Sequence, residues 1–275
     1  MIKLDGKSLA KIKEETLKEK INNISRKLTL AVIVLSNDDA SLSYLKGRQK
    51  LCERLNVNIE VITFNELTKE NLIDKIIELN ENPLIDGIMI DRPYPNNIKE
   101  SEVVDYIDYR KDVDGVTTMN QGRLAANLNC LVPPTAESSF ELIKYYTGAV
   151  EGKKALVIGR SSSVGRPLAQ LLLNANATVT IAHSRTKNLK ELAKENEIVC
   201  IAIGRKEMIN EDYLNENQIL VDVGIHYNEQ GKLVGDVLES SKEMVRYATP
   251  VPGGVGPLTN YMLLENLIKS YEMRK

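Results

Sequence analysis

The segment VIGRSSSVGRP, residues 157–167, decides how the rest of the chain is read. An apolar, β-branched run ends at Gly159, a polar turn follows, and Gly165 leads into a stretch with helical spacing. Gly159 permits a tight turn after a strand. The amides of Ser161 to Val164, Ser163 among them, are expected to open a helix, where free N–H groups and the helix dipole favour an anion. Gly165 lets that helix approach a ligand or the sheet closely. The two glycines stand six residues apart, one more than in the dinucleotide fingerprint GxGxxG. Taken alone, the segment fits an ordinary strand–turn–helix connection with serine caps equally well.

The next strand tips that balance. ATVTIAH (177–183) runs into HSRT (183–186), 24 residues beyond Gly159. In an NAD site an acidic residue near this place holds the ribose hydroxyl. Here none is present. His183, Ser184 and Arg185, with Arg160, supply donors and positive charge, a set that suits a 2′-phosphate, so NADP is expected rather than NAD. The bland alternative is a solvated loop end.

Outward from this core, apolar runs alternate with amphipathic ones. On the C-terminal side, Leu189–Glu195 reads as a short helix, and EIVCIAIG (197–204) and QILVDVG (218–224) as strands. On the N-terminal side, residues 6–26 read as a helix and LTLAVIVLS (28–36) as a buried strand. Ala40–Leu55 reads as a helix capped near Asp38 or Asp39, NIEVITF (58–64) as a strand, Thr68–Leu79 as a helix and DGIMI (86–90) as a strand. KDVDG (111–115) and LVPPT (131–135) read as loops, with Thr135 capping a helix to about Tyr146. Such a rhythm implies two α/β domains with mainly parallel sheets. The helices 6–26 and 258–271 have no place in the second block, so the last helix is expected to pack on the first. Residues 250–257, PVPGGVGP, hold three prolines and three glycines. That mixture of stiffness and close approach favours a ligand-facing loop over a plain hinge.

Composition limits the functions available. The 275 residues carry 27% charged side chains and a net charge of −2, with no basic run. This argues against nucleic acid or an anionic membrane as the main partner. Cys52, Cys130 and Cys200 lie far apart, with no metal-binding pair and no disulfide framework. Met1 leads into a polar segment and no apolar run reaches the ~18 residues of a membrane helix, so a cytoplasmic setting is expected.

Read in order, Tyr44, PYP (93–95), KDVDG, GRL (122–124), P-x-T (133–135), GRSSSVGRP (159–167), HSRT, DVG (222–224), GDV (235–237) and PVPGGVGP span almost the whole chain. The series resembles the bifunctional methylenetetrahydrofolate dehydrogenase/methenyltetrahydrofolate cyclohydrolase family. The resemblance implies two α/β domains flanking a cleft. Residues 1–118 with 257–275 would bind folate, and 119–256 would form a Rossmann-like NADP domain through which two chains pair as a homodimer. It implies oxidation of 5,10-methylene-tetrahydrofolate by NADP⁺ to the methenyl cation, then hydrolysis to 10-formyl-tetrahydrofolate. Tyr44 would stack on the folate ring, Asp114 would bind the pterin, and Pro252, Gly253 and Val255 would line the cleft. Gly159, Arg160, Ser161, Ser163, Val164, Gly165, His183, Ser184, Arg185, Gly224 and Ile225 would hold NADP.

Two positions depart from the family pattern. The catalytic lysine of Tyr-x-x-x-Lys is Arg48, and the glutamine before the proline turn is Asp91. Tyr44 and Arg48 lie one helical turn apart, whereas Lys46 and Lys50 point elsewhere. A desolvated lysine can lose its proton. Arginine does not. Arg48 and Asp91 are therefore expected to pair, and the hydrolytic step to be weak or lost while the dehydrogenase persists. A fully bifunctional enzyme that tolerates Arg48 is the alternative. A different two-domain NAD(P)-dependent dehydrogenase leaves PVPGGVGP unexplained. A folate- or nucleotide-binding protein without turnover is separated by assaying NADPH formation. His226 reads as a plain loop residue.

Overall fold

The chain enters and leaves each of two units twice. The computed structural model describes residues 1–36 and 39–275, without the side chains of residues 39, 40, 43 and 44. The expected cap at Asp38 or Asp39 and the Tyr44 side chain thus lie outside the described residues. In chain order the elements are β1 (Ile2–Lys3), α1 (Gly6–Asn22), β2 (Thr29–Val34), α2 (Asp39–Arg54), β3 (Asn58–Ile62), α3 (Lys69–Glu81) and β4 (Gly87–Asp91). Then come α4 (Thr118–Ala125), α5 (Pro134–Thr147), β5 (Lys154–Ile158), α6 (Gly165–Asn174), β6 (Thr178–Ala182), α7 (Leu189–Lys194) and β7 (Ile198–Ile201). The chain closes with β8 (Ile219–Asp222), β9 (His226–Tyr227), β10 (Leu233–Val234), β11 (Tyr247–Ala248) and α8 (Gly256–Glu272).

One unit comprises Met1–Ile12 and Thr135–Met262. Its sheet has the order β1-β11-β8-β7-β5-β6 and every pairing is parallel. All residues of β7 and β8 are buried. Parallel strands covered on both faces need such continuous apolar runs. Leu168 and Leu172 of α6 pack on one side with Val157 and Cys200. On the other side Leu156 and Ile201 join Leu214 and Val245.

The second unit comprises Lys13–Pro134 and Leu263–Lys275. Its three parallel strands run β3-β2-β4, with β2 central. Helix α3 begins at a capping box: the Thr68 hydroxyl accepts from the Asn71 amide at 3.2 Å, and the Asn71 side chain accepts from the Thr68 amide at 2.9 Å. The C-terminal half of α8 belongs here. Asn266 donates to the carbonyls of Val113 and Val132, at 2.9 and 2.7 Å, and Ser270 bonds the carbonyls of Asp86 and Arg110. Gly87 leaves room for it, since a Cβ there would lie 2.7 Å from Leu267 and 2.3 Å from Val113.

The partition differs from the sequence expectation at three places, one being residues 257–262, which stay with the six-stranded unit, where Leu258 packs in the core with Leu4. Residues 1–12 join the six-stranded unit because Ile2 and Lys3 pair with Tyr247 and Ala248. Residues 119–134 join the other because Asn120 donates to Asp112 at 2.9 Å and Gln121 to the Gly115 carbonyl at 2.7 Å. Thr135 lies inside α5, where its carbonyl accepts from Ser139. Among the described residues no helix is long and apolar enough to cross a membrane.

Candidate active site and cofactor pocket

In the three-stranded unit, a cluster of charged side chains gathers where β4 ends, the edge at which parallel α/β sheets carry their ligands. Arg48, on α2, is buried, and its Nη1 donates to Asp91 Oδ2 at 3.0 Å. Asp91, the last residue of β4, is also buried. Arg48 and Asp91 thus form one ion pair, as expected. Among the described residues the Arg48 Nε finds no hydrogen-bond partner. One turn on, burial pushes the Cys52 thiol up to about 11 despite Arg48 beside it.

The next residue along, Arg92, turns to different partners. Its Nη1 donates to Asp114 Oδ2 at 2.9 Å, and its Nη2 bonds Glu100. Burial pulls its pKa down, but Asp114 and Glu100 outweigh that and raise it. Burial also pushes the Tyr94 phenol up. The remainder of KDVDG fixes Asp114 in place. Lys111 donates to the carbonyls of Leu79, Asn80 and Asn82 at the end of α3, and burial lowers its pKa to about 8. Asp112, fully buried, accepts from the Thr117 amide at 2.8 Å. Gly115 has φ +63, and a Cβ would sit 2.7 Å from the Leu131 carbonyl oxygen.

In the six-stranded unit, a cavity of about 310 Å³ opens at the end of β5, lined by Gly159, Arg160, Ser161, His183, Ser184 and Arg205 among others. Gly159 has φ +125, and a Cβ there would lie 2.1 Å from the Ala202 carbonyl oxygen. A Cβ at Gly165 would lie 2.2 Å from the Gly159 carbonyl oxygen, so both glycines are required for helix α6 to meet the strand. Of the expected amides, that of Val164 differs from the sequence expectation. The Val164 and Gly165 amides donate to Ser161 Oγ, at 3.2 and 3.3 Å, and α6 starts only at Gly165. Ser161 caps this turn internally, and those two amides are already used. His183 Nδ1 accepts from the Arg185 amide at 3.1 Å, which closes the HSRT turn. Ser163 is partly exposed.

The remaining expected site residues lie as follows. Pro252 is exposed, Gly253 is buried with φ +115, and its carbonyl accepts from the Gly6 amide at 2.9 Å. Val255 is buried in the core with Leu4 and Leu258. Ile225 is exposed, whereas Gly224 lies against Asp236. His226 is no plain loop residue: it sits in β9, with Nε2 2.7 Å from Asp236 Oδ1.

Residues 4–114 match the family model for the catalytic domain of tetrahydrofolate dehydrogenase/cyclohydrolase, and residues 133–275 match that for its NAD(P)-binding domain. The chain belongs to the tetrahydrofolate dehydrogenase/cyclohydrolase family. Within this family, the bifunctional protein FolD of Bacillus cytotoxicus is 44% identical over 266 residues, covering 96% of this chain and 92% of the relative. The crystal structure of the bifunctional FolD enzyme of Campylobacter jejuni superposes with a TM-score of 0.96 at 38% identity, covering all of both chains. The FolD dehydrogenase-cyclohydrolase of Trypanosoma brucei, complexed with NADP and inhibitor, gives 0.92 at 28% identity over 100% of this chain and 98% of that one.

The cavity in this family member fits an NADP-type cofactor on its own chemistry. A glycine cradle at Gly159 and Gly165 admits backbone-close contact. Its lining contains arginines but no acidic side chain. Among the described residues the guanidinium groups of Arg160, Arg185 and Arg205 make no ion pair. Sequence reading missed Arg205 and the buried set Asp222, Asp236 and Lys242. For Arg205 the signal was its place just past a predicted strand end; Lys242 offers none, since a fully buried lysine looks like any surface lysine in sequence.

Proposed function

We propose that the chain oxidises 5,10-methylene-tetrahydrofolate to 5,10-methenyl-tetrahydrofolate with NADP⁺, and that its hydrolysis of the methenyl product is weak or lost. The reading is carried by the Arg48–Asp91 pair. The folate is assigned to the three-stranded unit and NADP to the six-stranded one. When bound, NADP⁺ supplies the nicotinamide ring that accepts the hydride.

The residues then have these roles. Asp114 accepts from the pterin amino and ring N–H groups. Tyr44 stacks on the folate ring. Pro252, Gly253 and Val255 shape the ligand-facing loop. Gly159, Gly165, Gly224 and Ile225 let the cofactor lie close to the backbone, and Arg160, His183, Ser184 and Arg185 meet its charged end. At the methylene carbon the C–H bond breaks with its electron pair, leaving a cation. No proton moves, so this step needs two oriented carbons and no titrating side chain. Ring opening is different: water must lose a proton as it adds. Arg48 has none to exchange and Asp91 is held in its ion pair.

The names of the relatives favour a second reading, a fully bifunctional enzyme. A paired assay on one preparation separates the two. NADPH formation from methylene-tetrahydrofolate is expected. Enzyme-dependent loss of the near-ultraviolet absorbance of methenyl-tetrahydrofolate is expected to stay close to the buffer rate. Rapid loss overturns the reduced-hydrolysis reading, and absence of NADPH formation overturns the dehydrogenase reading. We also propose a homodimer in the cytoplasm. Strand β6, an edge of its sheet with Ile181 exposed, supports pairing, and three buried free cysteines support a reducing compartment. Light scattering tests the first.

A further inference from the structure

We infer that Arg205 is a cofactor-selecting residue, a cation for the 2′-phosphate of NADP, and that Asp236 is the positioning residue that presents it. This rests on NADP being the cofactor, as proposed above.

Just beyond β7 the chain turns at Gly204, with φ +66. The turn points three successive amides at one carboxylate. Ile203 N and Gly204 N donate to Asp236 Oδ2 at 2.8 and 3.1 Å, and Arg205 N donates to Oδ1 at 2.8 Å. Successive amides in such a turn form a nest for an anion. Here the anion is the protein's own, and Asp236 is fully buried. His226 Nε2, 2.7 Å from Oδ1, completes its shell.

Asp236 is itself fixed from behind. Its amide donates to Asp222 Oδ1 at 2.9 Å and that of Val237 to Oδ2 at 3.2 Å. Asp222 pairs with the buried Lys242 at 3.0 Å. The segments 207–209 and 235–238 are laced together: Glu207 N to Gly235 O, Ile209 N to Asp236 O, and Leu238 N to Ile209 O, at 3.0, 3.0 and 2.8 Å. No side chain fits between. A Cβ at Gly235 would lie 1.8 Å from Asp222 Oδ2, and one at Gly224 2.4 Å from Asp236 Cγ. The motifs DVG and GDV are the two halves of this clamp.

The clamp immobilises the backbone of Arg205 and leaves its side chain exposed on the wall of the cavity that Arg160, His183 and Ser184 also line. Among the described residues its guanidinium has no ion pair. A fixed base with a free planar fork suits a phosphate. The cofactor's 2′-phosphate is the group that NAD lacks.

Titration calorimetry with 2′,5′-ADP and 5′-AMP isolates that phosphate without turnover. Arg205→Gln is expected to weaken 2′,5′-ADP binding by about tenfold or more and 5′-AMP by less than about twofold, the scale of one charge-assisted hydrogen bond. Asp236→Asn should lose the same preference, and adding it to Arg205→Gln should cost no further preference. Gly204→Val tests the positioning without touching the interior, because a Cβ at this exposed glycine meets nothing within 4 Å while the branched side chain disfavours its φ. It too should reduce the preference, together with a lower melting temperature from the strained turn. If Arg205→Gln affects both ligands alike or neither, the selecting role is overturned. If Asp236→Asn and Gly204→Val weaken both ligands equally, the positioning role is. Should the unsubstituted protein bind 2′,5′-ADP no better than 5′-AMP, the NADP assignment falls and this inference with it.

Discussion

Replacing Arg48 by lysine and Asp91 by glutamine together should restore hydrolysis of methenyl-tetrahydrofolate, and neither change alone should. The reasoning starts from burial. Both residues are less than a tenth exposed, and their side chains are joined at 3.0 Å. Asp91→Gln alone strands a buried guanidinium, a loss on the order of 3–5 kcal/mol. At roughly 2–4 °C per kcal/mol for a chain of this size, the melting temperature falls by about 6–20 °C. Arg48→Lys alone keeps the ion pair, and the facing carboxylate favours the protonated amine, which then cannot act as a base. With both replaced, the lysine faces a neutral amide in a desolvated position and can shed its proton. The site is neutral again, so stability should recover most of the Asp91→Gln loss. A positioned acid–base group contributes ~10²–10⁴-fold, and the enzyme-dependent decay of methenyl absorbance should rise by about that factor. Brisk decay with the unsubstituted protein, or full activity in Arg48→Lys alone, would refute the argument.

Arg92→Leu frees the Asp114 carboxylate from a partly exposed ion pair worth up to about 1 kcal/mol, so KM for methylene-tetrahydrofolate should fall up to about fivefold in steady-state NADPH assays. A rise in KM would assign Arg92 to the substrate instead. Lys242→Met leaves Asp222 buried without its cation and should lower stability by about 3–5 kcal/mol, read as a shifted urea midpoint at unchanged slope. No shift would mean that the amides alone satisfy Asp222. Gly87→Ala forces a methyl into Val113 and Leu267 and should cost about 1–3 kcal/mol in thermal unfolding. An unchanged melting temperature would show that the last helix can move aside.

Length and periodicity decide what the sequence discloses. Runs such as TLAVIV and KALVI, buried on both faces, announce parallel strands, and Leu168 and Leu172 announce the inner face of α6. The two-residue strands β1 and β11 have no periodicity to read, yet with the Gly6–Gly253 bond and Leu4 in the core they tie Met1–Ile12 to the six-stranded unit. Helix α4 is eight residues long and opens on the hydroxyl of Thr117, a cap that reads equally as a loop residue. At the site, Arg48 and Asp91 could be matched in sequence because both stand at fixed places in a known pattern. Asp222, Asp236, His226 and Lys242 could not, since their partners are set by loops that return from 2 to 33 residues away. At Ser161 two readings, an outward amide and a capping hydroxyl, stayed open in sequence because the choice depends on a turn geometry that composition does not encode; the hydroxyl does cap the turn.

The consecutive residues Asp91 and Arg92 place two ion pairs at the end of one strand, to Arg48 and to Asp114. The Arg48–Asp91 pair is neutral as a whole and loses that balance if one partner is changed, whereas Arg92 faces two carboxylates, Asp114 and Glu100. For the buried pair the imbalance costs most, because neither charge can reach water. The arginine and the aspartate are therefore a single coupled feature of the fold. On the proposed reading, this coupling removes proton exchange from the folate site while leaving its charge unaltered. A step that moves only hydride is indifferent to the exchange, whereas a step that must deprotonate water is not. A direct probe is the pH dependence of the two activities. The dehydrogenase turnover of the unsubstituted protein should show no inflection assignable to position 48. Any hydrolysis regained by the Arg48→Lys, Asp91→Gln protein should rise with pH as the new lysine loses its proton. A flat hydrolysis profile in that variant would show that position 48 acts by orienting water rather than by taking its proton, and the assignment of the lost activity to Arg48 would fail.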